Sequence, residues 1–452
     1  MHTRGIVTWS PLVLLFVIAG CQERSPVEEI EFDESAASEA APPITLADDD
    51  WPWWRGPERN GVAGNAHPPT SWTATENVRW KVAIPGRGHS SPTVVGNRIY
   101  LATADDSRGT QSVMAINRSD GKRVWTTPVH QGKLIGDGMH HNSTHANSTI
   151  ACDGTHIYVA FLNRDGVIAS ALDVDGHTVW QENLGEFDSK FGYAPSPVVH
   201  GSLVIFAADH RGSGYLAACH RRSGDIVWRR ARPAVATYSS AVVANVAGRD
   251  QLLISGCERI SSFDPDTGRP LWSSEFAPVA TCGTVVWDDN NVFASGGYPA
   301  SLTLCVSADG SGEPVWSNNH KCYEQSMLVR DGFVYALVDT GVVYCWDAAT
   351  GSEKWKHRLS GPVSASPVLA GGHIYASNEK GTTFVFESTP DRFRLVAKNR
   401  LGDESFASPA VCGDALYLRV AEHDGRNRTE YLYCLADESA QPIADLLAEG
   451  AD

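Results

Sequence analysis

The densest group of side chains with obvious chemistry lies in the stretch Gly132 to His145, which carries Asp137, His140, His141 and His145. Imidazole nitrogens and a carboxylate are donors that a divalent transition metal takes, and His141 and His145 stand four apart. Zinc peptidases hold such a pair on a helix, with a glutamate between them as base. Here the intervening residues are Asn142, Ser143 and Thr144, which favour turns. The stretch reads first as a polar surface loop, with metal ligation by these four residues as the alternative.

Ten cysteines offer a second chemistry. No Cys-x-x-Cys or Cys-x-x-Cys-His occurs, so neither a redox dithiol nor a c-type haem attachment is indicated. Cys305, Cys345 and Cys434 stand where sister segments carry Ala115 and Ser262, and Cys152 and Cys412 share another slot. Such positions want a small buried residue, and a free cysteine packs as one. No Ser-His-Asp order, glycosidase carboxylate pair or phosphate-cradling glycine loop stands out. No catalytic residue is assigned.

The elements that position these groups repeat. Trp80, Trp125, Trp180, Trp228, Trp272, Trp316 and Trp355 follow one another at intervals of 45, 55, 48, 44, 44 and 39 residues. Each from Trp125 onward closes a segment such as Asp120-Gly-Lys-Arg-Val-Trp125 or Thr350-Gly-Ser-Glu-Lys-Trp355. Short apolar runs split by glycine turns at that period predict an all-β, eight-bladed β-propeller of four-stranded antiparallel blades. The blades open at Ser91, Ser148, Ser196, Ser240, Thr284, Ser326, Ser366 and Ser408. The last one lacks an outer strand, and the spare is Asn77-Val-Arg-Trp80, so residues 77–84 are expected to close the ring. The ring then spans residues 77–438, and the regular tryptophans are wedges between blades.

Repeats expose function where they break. From Trp125 to Ser148 takes 23 residues, against 10 to 16 elsewhere, and the extra residues are the histidine stretch. Connections from an outer strand to the next inner one emerge where the central funnel opens. Arg87, His89, His145, Tyr193, Tyr238, Lys321, Tyr323, Glu324 and Phe406 occupy those connections and are the candidate mouth residues. Mixed aromatics and charges around a concavity suit a peptide segment or a small polar ligand.

Ahead of the ring, Arg4 precedes an apolar run from Ile6 to Ala19, too short for a lasting anchor, so residues 1–20 read as an export signal. The run ends Ile18-Ala19-Gly20-Cys21, which resembles the bacterial lipoprotein box, with Cys21 as the lipid attachment site. Residues 22–50 hold ten acids against Arg24 alone, so 21–50 is expected to be an acidic flexible tether. Residues 51–76 should pack aromatics and an arginine on one face of the ring, and 439–452 form a tail. The chain carries a formal charge of −16 and no basic stripe, which argues against nucleic acid as a partner.

The Ser-Pro-x-Val opening, the Ile-Tyr strand and the Gly-x-x-x-Trp ending resemble the propeller repeat of pyrroloquinoline quinone (PQQ) enzymes. An eight-bladed ring behind a lipobox resembles, within that superfamily, the lipoprotein subunit of the outer-membrane β-barrel assembly machinery. Trp51-Pro-Trp-Trp-Arg-Gly-Pro-Glu-Arg-Asn-Gly61 also resembles an opening found in repeat proteins of planctomycete type. The resemblance implies a non-catalytic scaffold, exported and lipid-anchored at the outer membrane, facing the periplasm. Its partners would be envelope proteins or peptide segments, and it would need no cofactor. A quinoprotein-like enzyme or ligand-binding funnel, with PQQ and Ca²⁺, is the alternative. The alcohol-oxidising PQQ enzymes carry adjacent cysteines over the cofactor, and no two cysteines are adjacent here.

Overall fold

The computed structural model describes residues 27–136 and 139–437. The signal segment, Cys21, Asp137 and the tail 439–452 lie outside the described residues. Eight antiparallel four-stranded blades, their strands lettered A to D from axis to rim, form the ring, and in seven of them the four strands are consecutive in the chain. Blade 1 comprises Thr93–Val95, Arg98–Asp105, Thr110–Asn117 and Arg123–Gln131. Strands B and C are buried on both faces, as sheets stacked blade on blade require. In blade 8, Val78–Ile84 pairs with Asn427–Leu435 and supplies the outer strand from the other end of the chain. The ring is closed as the sequence predicts.

The tryptophan spacing has a direct cause. Six of the seven rings lie on the glycine of the turn that leads into strand D of the next blade, and Trp355 packs on Phe393 instead. A Cβ added at Gly224 would come within 2.7 Å of the Trp180 indole, at a backbone φ of +85° that other residues rarely adopt. Gly121 meets Trp80 in the same way, again at 2.7 Å. Five of the seven indole nitrogens then donate to a carbonyl across the blade boundary, among them Trp80 to Arg118, Trp180 to Arg221 and Trp316 to Ala348, at 2.8 to 2.9 Å. One residue type thus fills the wedge and satisfies a turn carbonyl, and glycine is what lets it approach.

The opening serines have a different task. Around the axis, at six of the eight boundaries, the backbone N–H at a blade's opening donates to the hydroxyl at the next: Ser91 to Thr149, Thr149 to Ser196 and Ser196 to Ser240, at 2.9 to 3.1 Å. Thr284 to Ser326, Ser326 to Ser366 and Ser366 to Ser408 continue it at 2.8 to 3.0 Å. In blade 2 the belt runs through Thr149, one residue beyond the expected Ser148. Each link contributes about 1 kcal/mol and fixes the angular step between neighbours.

Where a free tether was expected, the chain from Val27 onward is laid on the ring. The Val27 N–H meets Ser213 Oγ on the funnel side of blade 3. Ile30 and Arg229 then exchange backbone hydrogen bonds at 3.0 and 2.9 Å along strand D, Ile226–Arg232. A single helical turn, Glu34–Ala37, capped by Asp33, carries the chain to the underside. There Arg221 donates to the Pro42 carbonyl at 2.7 Å, and Arg118 pairs with Asp49 at 3.3 Å. Acidic composition alone reads as solvated chain. The docking comes from arginines, spread over blades 1 and 3, that would otherwise be left buried with fewer partners.

Of the ten cysteines, the nine that are described are free, and all but Cys282 are buried. Burial pushes the Cys152, Cys305 and Cys345 thiols up to about 12, which keeps them inert. Replacing Gly224 with valine should cost about 2–4 kcal/mol through collision with Trp180 at a left-handed position. Gly201, at φ +53° with open space around it, should lose only about 1 kcal/mol on the same change. Urea midpoints measure both; equal losses would remove the glycine–tryptophan contact as the cause.

Candidate functional site

The expected packing of residues 51–76 on one face proves to be an insertion. The segment Trp51 to Ala63 enters the central channel and binds inner strands in turn. Trp51 exchanges backbone hydrogen bonds with Val94 of blade 1 at 2.8 and 2.9 Å, and the Pro52 carbonyl accepts from Cys152 of blade 2 at 2.8 Å. Arg59 Nη2 reaches the Val199 carbonyl of blade 3 at 2.6 Å, and Trp54 Nε1 the Thr284 hydroxyl of blade 5 at 2.8 Å. Arg55 Nη2 donates to the Met327 carbonyl of blade 6 at 2.6 Å. Val62–Ala63 finally pairs in parallel with Leu369 and Ala370, adding a fifth strand to blade 7.

This plug is held against its own cost. Arg55 and Arg59 take left-handed φ values of +65° and +55°, each worth about 1 kcal/mol of strain. Burial lowers the Arg55 guanidinium to about 9 and that of Arg59 to about 10. Arg59 lies 4.4 Å over the Trp53 ring, which partly replaces water around the charge. Arg55 Nε and Nη1 are buried without a hydrogen-bond partner. Carbonyl acceptors and the Trp53 face hold these cations, and Glu58 and Asp250 partly oppose the downward shift of Arg59.

Above the plug the channel widens into a blind cavity of about 420 Å³. Trp54 forms its floor beside belt hydroxyls such as Ser196 and Ser366, and Phe191, Tyr238, Tyr323 and Phe406 contribute to its walls. His89 stacks on Phe406 at 4.7 Å, and Phe191 meets Tyr238 edge-on at 5.5 Å. Burial, then the cations Arg87, Arg419 and Arg428, push His89 well below the ordinary histidine value, and its Nε2 is buried without a partner. Glu324, across the ring, is raised by burial and by Glu379 and Asp339, while Ser364 opposes the shift. The cavity is the size of a small-ligand or single side-chain site.

Of the expected mouth residues, His89, Tyr238, Tyr323, Glu324 and Phe406 line the cavity. The others turn elsewhere. Tyr193 is buried and donates to the Ala207 carbonyl at 2.9 Å. Lys321 pairs with Asp339 at 3.2 Å, and Arg87 reaches the His141 carbonyl at 3.0 Å. His145 points toward Asp106, at 3.8 Å, whereas His140 packs on Phe191 and lines the cavity. The His140 and His141 rings lie 4.3 Å apart, but His145 turns to Asp106 rather than joining them. Among the described residues no group of three His, Cys, Asp or Glu side chains is placed to hold a metal. Trp54 and Phe191 were not anticipated; Phe191 stands in the same class of connection as Tyr193 and was legible there.

The family profile described as outer membrane protein assembly factor BamB matches residues 70–161, 109–336 and 303–392, overlapping as a repeat does. The chain belongs to that family. Curated relatives named BamB include that of Bordetella pertussis (strain Tohama I), 25% identical over 355 residues, or 75% of this chain and 81% of the relative. That of Burkholderia pseudomallei is 24% identical over 361 residues, covering 77% and 84%. Among solved structures, BamB from Moraxella catarrhalis superposes with a TM-score of 0.57 at 15% identity, over 80% of this chain and 98% of that one. A europium-containing methanol dehydrogenase gives 0.63 at 12% identity, over 89% and 99%. At such identities the two structures share the fold with this chain.

That second likeness makes the PQQ alternative a question of donors. Calcium takes about six to eight oxygens, with carboxylates prominent among them. Among the described residues, the cavity lining of this BamB-family ring offers one carboxylate, Glu324, among hydroxyls, amides and aromatics. It does not fit PQQ with calcium.

His89 also gives the ring a pH dependence. Once unfolded it takes up a proton near the ordinary value of about 6.5, whereas folded it stays neutral well below that. The unfolded state then binds more protons, so stability falls as pH drops below about 6.5. In His89→Gln the decline in urea midpoint between about pH 7 and pH 5 should be shallower, with little change at about pH 8. Parallel slopes for the two proteins would exclude His89 from the effect.

Proposed function

We propose that this chain is an exported lipoprotein that carries its ring on the periplasmic side of the outer membrane as a non-catalytic scaffold in outer-membrane protein assembly. The observation that carries the reading is the BamB family match over most of the ring, from residue 70 to residue 392. The lipobox ending at Cys21 supports the anchor, and the opening Trp51 to Gly61 supports an origin in a planctomycete-type envelope. The partners are other envelope proteins or extended peptide segments, with the membrane engaged through the lipid. A second reading, capture of a small ligand in the funnel, is favoured by the blind aromatic cavity alone.

Two measurements test this. Cross-linked envelopes, solubilised under conditions that preserve outer-membrane complexes, should yield barrel-assembly components with the protein; consistent recovery without them would overturn the assembly role. Cys21→Ser should lose labelling by a palmitate analogue and leave the outer-membrane fraction, because firm anchoring takes more than one acyl chain and only the lipidated cysteine supplies them. Equal labelling and retention of native and C21S proteins would overturn the anchor.

A further inference from the structure

The path of residues 27–63 fixes where a lipid anchor would leave the ring. Ser213, which receives the Val27 N–H, lies between strands Leu203–Ala208 and Gly214–His220 of blade 3. Gly214 pairs with Arg232, the last residue of strand D, just before the connection that carries Tyr238 into the cavity. Val27 therefore sits on the funnel side, at the rim of blade 3. From there the chain descends the outer edge, crosses beneath blades 3, 2 and 1, and turns up into the channel. Asp50 receives the Gly96 N–H at 2.8 Å in the underside turn of blade 1.

Six peptide links separate Cys21 from Val27. At roughly 3.6 Å per residue they reach about 20 Å at full extension, whatever their conformation. Strand Gly214–His220, rising about 3.4 Å per residue, already separates the two faces of blade 3 by about 20 Å. A lipid on Cys21 can thus hold the funnel-side rim of blade 3 against a bilayer with slack to spare, whereas it meets the underside of the same blade only with all six links drawn out straight along the blade edge. The exposed side chains of that rim are of both signs: Arg164, Lys190 and Arg211 with Asp165, Glu186 and Asp188. Such a mixture suits zwitterionic headgroups.

We infer that the funnel-side rim of blades 2 and 3 is a membrane-facing surface, seated on the lipid headgroups of the leaflet that holds the anchor, so that the cavity mouth opens toward the bilayer. This rests on the lipoprotein reading above. The test uses the mature lipidated protein in vesicles of phosphatidylethanolamine and phosphatidylglycerol, with p-benzoylphenylalanine placed at Arg211 or at Arg222. Both residues are exposed on blade 3, at its funnel side and underside respectively. Flotation with the vesicles reports the anchor, and photo-cross-linking to labelled lipid reports orientation. The expected result is flotation of both variants, with lipid cross-linking several-fold stronger at Arg211. A long Gly/Ser insertion between Pro26 and Val27 should abolish that bias. Failure to float overturns the anchor reading and the orientation with it. Flotation with cross-linking at Arg222 equal to or above that at Arg211, or at neither site, overturns the orientation alone.

Discussion

The structure depends on closing a circle with a strand taken from the far end of the chain. Val78–Ile84 completes blade 8 beside Asn427–Leu435, so no blade presents an open inner face and none can leave without breaking both termini apart. The consequence reaches backwards along the sequence. The residues before Val78 must arrive at the outer edge of blade 8, and they come to it by way of the channel. Closure thus places a plug on the axis as well as a strand on the rim. The hydroxyl belt and the tryptophan wedges set the angle of each step, but the shared blade makes eight steps a ring.

What repeats in this fold was legible in the sequence, because each recurring residue answers one recurring demand. Trp180 needs Gly224, and a blade opening needs a hydroxyl for its neighbour's N–H. Eight blades, their order and their closure follow from counting those demands. What occurs once was not legible. The acidic residues around Asp49 look solvated until Arg118 is placed beneath them, and Trp54 looks like a surface aromatic until the channel is seen to receive it. Such contacts join residues with no shared period, so neither spacing nor composition announces them.

The cavity was half legible for a related reason. Connections between blades identify which stretches reach the mouth, and so His89, Tyr238, Tyr323, Glu324 and Phe406 were found. They do not say which side chains within a stretch turn inward. Tyr193 and Phe191 are two residues apart, yet one is spent on the Ala207 carbonyl and the other faces the cavity. That choice is made by packing against neighbouring blades. The same packing carries buried ion pairs such as Arg232 with Asp209 and Arg419 with Glu430, at 2.6 to 2.8 Å, beside the funnel. In pairs this desolvated, the cost of removing both charges from water offsets much of their attraction.

The plug also changes what kind of object the ring is. A propeller with an open axis is a tube with two ends; with Trp54 seated across it, this one is a cup. Whatever enters must leave by the same mouth, so no chain can be drawn through it, and an occupant's dwell time is set by that one opening. A cup reads the end or the protruding side chain of a guest, never its whole length. Extended chains would have to be handled on the outside, along the blade edges, while the axis is reserved for something small enough to turn back.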